Sequence, residues 1–256
     1  MLVATWNVNS IRARLGRLIP WLESRQPDVI CFQETKVMDQ EFPFEELERL
    51  GYTTLSFGQK TYNGVAIASR LPIFEVQRGL PGDNTGQARL LAAQMGEVTV
   101  VNVYVPNGQE VGTEAYAFKL RWLAKLKDFL TERFSPDSKL LLCGDFNVAP
   151  EEADIWDPEG LRGKILFSDP EREAFRQLLQ WGLVDCLRLR HPHGAFYTWW
   201  DYRQGAFHRG WGMRLDHVLT TAPLAANCQD VVVDREARKG EKPSDHAPVL
   251  ATFSRW

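Results

Sequence analysis

The strongest constraint on this chain comes from short apolar runs that stop abruptly at polar residues. Leu140-Leu141-Leu142-Cys143 ends at Gly144-Asp145, and Val29-Ile30-Cys31-Phe32 ends at Gln33-Glu34. Runs of that length, apolar on successive residues, fit strands covered on both faces. A third, Val98-Thr99-Val100-Val101-Asn102-Val103-Tyr104, is rich in β-branched residues and is halted by Pro106-Asn107-Gly108. Further strands are predicted at 2–6, 52–57, 64–69, 89–94, 214–221, 229–234 and 247–253.

Helical spacing appears between them. Ser10 is placed to cap a helix to about residue 25, with Ile11, Leu15, Leu18, Ile19 and Leu22 on one side. Pro20 predicts a kink or break in it. Residues 114–133 read as a long amphipathic helix carrying Phe118, Trp122, Leu126, Phe129 and Leu130 inward. Residues 150–170 read as loop and 171–181 as helix. No repeat, low-complexity tract or linker divides the 256 residues, so one α/β domain over 1–256 is expected.

Bulk charge excludes little. The net charge of -3 lacks the basic footprint of many nucleic-acid binders. A local basic rim from Arg12, Arg14, Lys36, Arg203, Arg209, Arg214 and Lys242 remains open. Cys31, Cys143, Cys186 and Cys228 fall in no metal-knuckle spacing and are expected to be reduced, as in a cytosolic protein. The opening MLVATWNVNS lacks the pattern of a signal peptide, and no apolar run is long enough to span a bilayer.

The polar residues gather just past strand ends, where α/β proteins commonly place their sites. They are Asn7 and Asn9, Glu34, Tyr104 and Asn107, Asp145 and Asn147, Asp216, and Asp245-His246. Taken singly, each has a bland explanation. Gly144-Asp145-Phe146-Asn147 suits an Asx-type turn, Glu34 a solvated strand end, and Ser244-Asp245-His246 a turn before the last strand. Taken together, Glu34, Asp145, Asp216 and Asp245 would repel one another at one site. A divalent cation removes that penalty, and an oxygen-rich donor set without cysteine points to Mg²⁺ or Mn²⁺. Neutral Asn7, Asn107, Asn147 and the Tyr104 phenol can then hold phosphate oxygens without adding charge.

The chain resembles exonuclease III of the endonuclease/exonuclease/phosphatase superfamily. The resemblance rests on Thr5-Trp6-Asn7-Val8-Asn9, Pro27 through Lys36, Asn63-Gly64-Val65-Ala66-Ile67, Gly144-Asp145-Phe146-Asn147, Trp181 through Asp185, Trp199-Trp200-Asp201-Tyr202-Arg203, Arg214-Leu215-Asp216 and Glu241 through Pro248, in the family's order. It implies a four-layer sandwich of two packed mixed β-sheets flanked by helices. It also implies an Mg²⁺-dependent phosphodiesterase of DNA repair that cuts 5′ to abasic sites, with exonuclease and 3′-trimming activity on duplex DNA.

The resemblance assigns roles residue by residue. Glu34 would be the main metal ligand, with Asn7 and Asp245 nearby and Asp145, Asn147 and His246 in the same group. Asp145 would activate the attacking water beside Asn147. His246, oriented by Asp216, would stabilise the phosphate, and Tyr104 would bond the scissile phosphate or leaving group. Trp199, Met213 and Leu215 would wall a pocket for a flipped abasic sugar, with Asn107 and Arg203 as further substrate contacts and Arg209 near DNA phosphates. A monomer in a bacterial-type cytoplasm, associated with the nucleoid, is expected.

Two stretches depart from the bacterial pattern. Tyr104 is followed by Val-Pro-Asn-Gly, where Asn107 is similar to the animal abasic endonucleases, and the loop at 150–165 carries Ile155-Trp156-Asp157-Pro158. Two other readings of the residues are a phosphatase or sphingomyelinase on the same fold, and a binding module that has lost activity. The aromatic and arginine-rich segment 197–214 weighs against the first, and the presence of Glu34, Asp145, Asp216 and His246 against the second.

Overall fold

The computed structural model describes residues 1–254 and 256. Its strands, in chain order, are β1 (Leu2–Asn7), β2 (Val29–Gln33), β3 (Thr53–Phe57), β4 (Val65–Ser69), β5 (Phe74–Arg78), β6 (Leu90–Met95), β7 (Val98–Tyr104), β8 (Leu140–Asp145), β9 (Leu183–Asp185), β10 (Trp199–Trp200), β11 (Gly212–Met213), β12 (Asp216–Thr221), β13 (Cys228–Val233) and β14 (Val249–Phe253). The main helices are α1 (Ile11–Arg25), α2 (Phe44–Arg49), α3 (Glu114–Arg133) and α4 (Asp169–Gly182).

Two six-stranded mixed sheets result, ordered β13-β14-β1-β2-β4-β3 and β5-β6-β7-β8-β12-β9, with β10 and β11 as a separate short hairpin. Because side chains alternate along a strand, each sheet has two apolar faces to cover. Val3, Val29, Cys31, Val65 and Ile67 of the first sheet meet Leu91, Val100, Leu141, Cys143 and Val218 of the second in one core. The outer faces pack on helices. Ala4, Trp6, Ile30 and Phe32 lie under Ile11, Leu18 and Leu22 of α1. Val101, Val103, Leu140 and Leu142 lie under Trp122, Leu126 and Phe129 of α3 and Phe175 of α4. This is the expected four-layer sandwich.

Register brings the polar strand ends to one edge. β1 runs parallel to β2 with Asn7 opposite Gln33, and β7 parallel to β8 with Tyr104 opposite Asp145. β12 runs antiparallel to β8 and sets Asp216 opposite Asp145. Gly144 permits this arrangement. Its φ is +141°, and a Cβ there would lie 1.9 Å from the Val103 carbonyl oxygen, so β8 approaches β7 this closely only with glycine.

Polar groups also cross between the sheets. The Asn102 amide, on β7, donates to the carbonyls of Phe32 on β2 and Ala66 on β4, each at 2.9 Å. Its oxygen accepts from Gln33 Nε2 at 2.7 Å, and the same nitrogen bonds Thr5 Oγ1 at 2.9 Å. A polar residue with no exposed surface thus sits inside an otherwise apolar interface with both ends of its amide used.

The structure departs from the sequence expectations in a few places. α1 passes through Pro20 unbroken. Both Pro20 and Gly16, whose carbonyl loses its helical partner, face solvent, where water takes the freed acceptor. The segment expected to be loop before residue 171 contains a single 3-10 turn at Glu152–Asp154 and the first residues of α4, capped by Ser168. β5 escaped prediction because it is an exposed edge strand of mixed polarity. All four cysteines are free and buried.

Replacing Asn102 with leucine should leave the Phe32 and Ala66 carbonyls without their amide donor in the core. The expected loss is on the order of 1–3 kcal/mol for each group that finds no partner. Urea unfolding followed by circular dichroism measures it, and an unchanged midpoint would remove Asn102 from the account of sheet packing.

Candidate active site

Both sheets contribute to a cluster at the common edge. From the first sheet come Asn7 at the end of β1, Glu34 just beyond β2, and Asp245-His246 ahead of β14. From the second come Tyr104, Asp145 and Asp216. Asn7 joins the two groups, because its Nδ2 donates to Glu34 Oε1 at 3.0 Å and to Asp145 Oδ2 at 2.9 Å. His246 joins them again. Its Nδ1 lies 2.8 Å from Asp216 Oδ2, and its Nε2 3.6 Å from Asp145 Oδ2.

Backbone geometry around the cluster is costly. Asn9, Glu34, Lys36 and Asn147 all have φ between +44° and +56°, a region that non-glycine residues seldom enter. Such conformations persist where surrounding bonds over-determine them. The Asn147 N–H donates to Asp145 Oδ1 at 2.9 Å, and its side-chain amide donates to the Val105 carbonyl at 2.9 Å. Asn107 Nδ2 reaches Asn147 Oδ1 at 3.3 Å. Behind them the buried Lys119 ammonium bonds the carbonyls of Asn107 and Asn147 and pairs with Glu171.

Charge at the site is unevenly balanced. Burial pushes the Asp145 carboxyl up to about 7, against the pull of His246 and the bond from Asn7. Burial also opposes charge on His246, but Asp216 and Asp145 outweigh it and raise the imidazole to about 10. Burial tends to raise Glu34 too, yet Lys36, 3.0 Å away, and the Asn7 bond hold it below its ordinary value. The Tyr104 phenol is driven well above 10 by burial and by the charges of Glu34 and Asp145. At neutral pH the site therefore presents a charged imidazolium, a protonated phenol and a carboxylate close to its own titration point.

The Asp145, Asp216 and His246 ligand atoms all lie within 4.8 Å of one another. Glu34 is joined to this group through Asn7, and Asp216 Oδ1 is buried without a hydrogen-bond partner. The carboxylates of Glu34, Asp145 and Asp216, with their surplus negative charge, suit a hard divalent cation. Asp245 stands apart, accepting from Asn9 Nδ2 at 3.2 Å and Trp199 Nε1 at 3.0 Å.

The aromatic segment reaches the cluster through a ribbon of backbone. Trp199 bridges His246 and pairs with Met213, and Met213 bridges Ile155. Trp199 and Met213 line a cavity of about 300 Å³ with Trp156, Leu161, Arg203 and Trp211. Leu215 is only 1% exposed and forms part of the apolar mass behind it. Arg203 projects into solvent with its guanidinium on Asp201, at 2.8 Å, and Arg209 lies over Trp211.

Some site residues had no sequence signal. The Arg89 guanidinium lies 4.8 Å from the Tyr104 ring centroid, but nothing around it in the chain marks it. Thr198 Oγ1 accepts the N–H groups of Leu215 and Asp216, and Ser244 Oγ donates to the Asn7 carbonyl at 2.6 Å. His217, adjacent to Asp216, is not part of the site. It is buried beside Arg214, held down to about 4 by burial, and bonded to the Val148 carbonyl.

A four-layer sandwich with this acidic, histidine-bearing edge defines a hydrolase of the DNase I-like class. The chain belongs to the Endonuclease/Exonuclease/phosphatase family, whose defining pattern matches residues 4–246. It is 36% identical to exodeoxyribonuclease III of Haemophilus influenzae, over 97% of this chain and 98% of that one. Among solved structures it is similar to a 3′-5′ exonuclease from Neisseria meningitidis, with 45% identity, 99% of both chains covered and a TM-score of 0.95. It is equally similar to an AP endonuclease from Archaeoglobus fulgidus, with 42% identity, 99% of both chains and a TM-score of 0.96. Within the family it groups with exonuclease III, and it is a nuclease.

The imidazole gives a pH test. His246 has a folded pKa near 10, above the 6.5 of a free histidine. Its contribution to stability is fully present below about 6.5 and is lost as pH rises through about 10. In chelator, unfolding free energy should fall from about pH 7 to about pH 10 more steeply in the wild type than in His246→Gln. Parallel curves would contradict the assigned charge.

Proposed function

We propose that this nuclease hydrolyses the DNA backbone 5′ to abasic sites, with 3′-5′ exonuclease and 3′-end-trimming activity on duplex DNA. The observation that carries the reading is the crossing of the two sheets at Asn7, Asp145 and His246, beside a small aromatic cavity. The names of its relatives, an AP endonuclease and a 3′-5′ exonuclease, point the same way.

In this reading Glu34 would be the main ligand of Mg²⁺, with Mn²⁺ as a substitute and Asn7, Asp145 and Asp245 around it. The bound cation would offset phosphate charge and make the phosphorus more open to attack. Asp145, oriented by the Asn7 amide and the Asn147 N–H, accepts the proton of the attacking water. His246 keeps both ring protons at neutral pH. It therefore donates Nε2–H to a phosphate oxygen while Asp216 fixes the ring through Nδ1, which makes it a charge stabiliser rather than a metal ligand. Tyr104 keeps its proton and donates to the phosphate or to the departing 3′ oxygen, while Asn107 and Asn147 bond the remaining oxygens. Trp199 and Met213, backed by Leu215, receive the abasic sugar, which flips out most readily because no base remains to unpair. Arg203 contacts the strand from the rim. We place the enzyme in the cytoplasm, acting as a monomer on the nucleoid.

Three duplexes test the reading: abasic, recessed-end and 3′-phosphate. Incision 5′ to the abasic site that a chelator abolishes is the expected result, and intact abasic DNA at saturating Mg²⁺ would refute it. Asp145→Asn should lower turnover by roughly 10²–10⁴ while abasic DNA still binds. Failure to bind would move Asp145 from chemistry to recognition. Glu34→Gln should need more Mg²⁺ for the same rate, and a metal titration identical to the wild type would remove Glu34 from the ligand set.

A further inference from the structure

Two indoles beside the cavity have no role in the mechanism above. Trp156 and Trp211 stack with ring centroids 4.8 Å apart and planes 19° from parallel. The Arg209 guanidinium lies 4.5 Å from the Trp211 centroid. Trp156 covers one face of that ring, so the cation takes the other. Trp156, at the other end of the stack, is 37% exposed. Its backbone is fixed, because Trp156 N–H donates to the Gly212 carbonyl at 3.1 Å and Ile155 bridges Met213. Neighbouring Ile155 packs into the buried cluster behind the cavity, whereas Trp156 is not among that cluster's described members.

We propose that the Trp156–Trp211 stack is a subsite for the nucleobase of an unpaired nucleotide. The base lies on Trp156 while its sugar and phosphate reach Trp199 and His246. This inference rests on the DNA reading above and extends it to nucleotides that keep their base. An abasic sugar has nothing to stack, so a rigid indole platform gives it no advantage. A frayed 3′-terminal nucleotide has a planar base, and every base has a face that an indole accepts, whatever its sequence. Arg209 behind the stack adds positive charge in line with it, and Arg203 lines the same cavity. The same ribbon of backbone carries the platform, Met213, Trp199 and His246, so a stacked base and a scissile phosphate are held in one frame. The competing role for Trp156 is a staple that merely ties the 150–165 loop to the ribbon.

Two measurements on the full chain separate these roles. The first, in chelator, follows quenching of tryptophan fluorescence by a recessed duplex ending in a mismatched 3′ nucleotide, or in the same residue without its base. The second, with Mg²⁺, compares terminal-nucleotide release with abasic incision as a ratio of kcat/KM values. The wild type should bind the base-bearing end more tightly. Trp156→Ala should erase that preference and lower the ratio by roughly tenfold, the scale of one base–aromatic stack, mainly through KM. Trp156→Phe should restore most of both. Equal losses on both substrates with a lowered melting temperature would make Trp156 a staple and overturn the proposal. So would wild-type binding indifferent to the base, or a Trp156→Ala ratio equal to the wild type. A wild type that cuts neither duplex would refute the proposed function, and the binding measurement would still decide the subsite.

Discussion

The alignment of one sheet against the other is the constraint on which the rest of this molecule depends. Neither sheet holds the site. Asn7, Glu34 and His246 ride on one, and Tyr104, Asp145 and Asp216 on the other. The bonds that matter chemically, Asn7 to Asp145 and His246 to Asp216, are also bonds between sheets. An apolar interface alone is a poor guide to alignment, because dispersion contacts have little directional preference. Asn102 supplies direction. Its amide is satisfied only when β7 stands at one place relative to β2 and β4, and sliding the sheets would strand several buried polar groups at once.

The edge that results is expensive to maintain. Four of its residues sit in left-handed backbone, a carboxylate is buried until its affinity for protons nears neutrality, and an ammonium and a carboxylate are buried in pairs behind it. Stability is recovered in the three apolar layers, where the sheets bury nearly every inward side chain. This separation lets the core tolerate an edge that would not be stable alone.

How much of this was legible in the sequence varied with the kind of information required. Short apolar runs revealed β2, β7 and β8 because strands covered on both faces leave no polar positions to confuse the pattern. The edge strand β5, with Phe74, Glu75, Val76 and Arg78 all exposed, left no such mark. Asp216 could be suspected of orienting a histidine, but which of the neighbouring histidines does what needed coordinates. His217 follows Asp216 directly and points the other way, as alternation along a strand requires, while His246 arrives from thirty residues on. Asn102 was silent for a related reason. Its partners on β2 and β4 are distant in the chain, and nothing local records a contact made across a sandwich. The family motifs contain most of the polar residues that the fold gathers at the shared edge, whereas Trp156 of the indole stack lies where the chain departs from the bacterial pattern.

Strand order has a consequence for the timing of assembly. β14 follows every other strand in the chain, yet it pairs with β1, the first. His246 stands immediately ahead of it. During synthesis, which proceeds from the N-terminus, α1 and α3 can find their sheets while β1 has β2 on one side and still lacks β14 on the other. The His246 imidazole is delivered by the same closing movement that completes the first sheet. A partly made chain therefore has carboxylates without their cationic partner, and the cluster is complete only when the architecture is sealed.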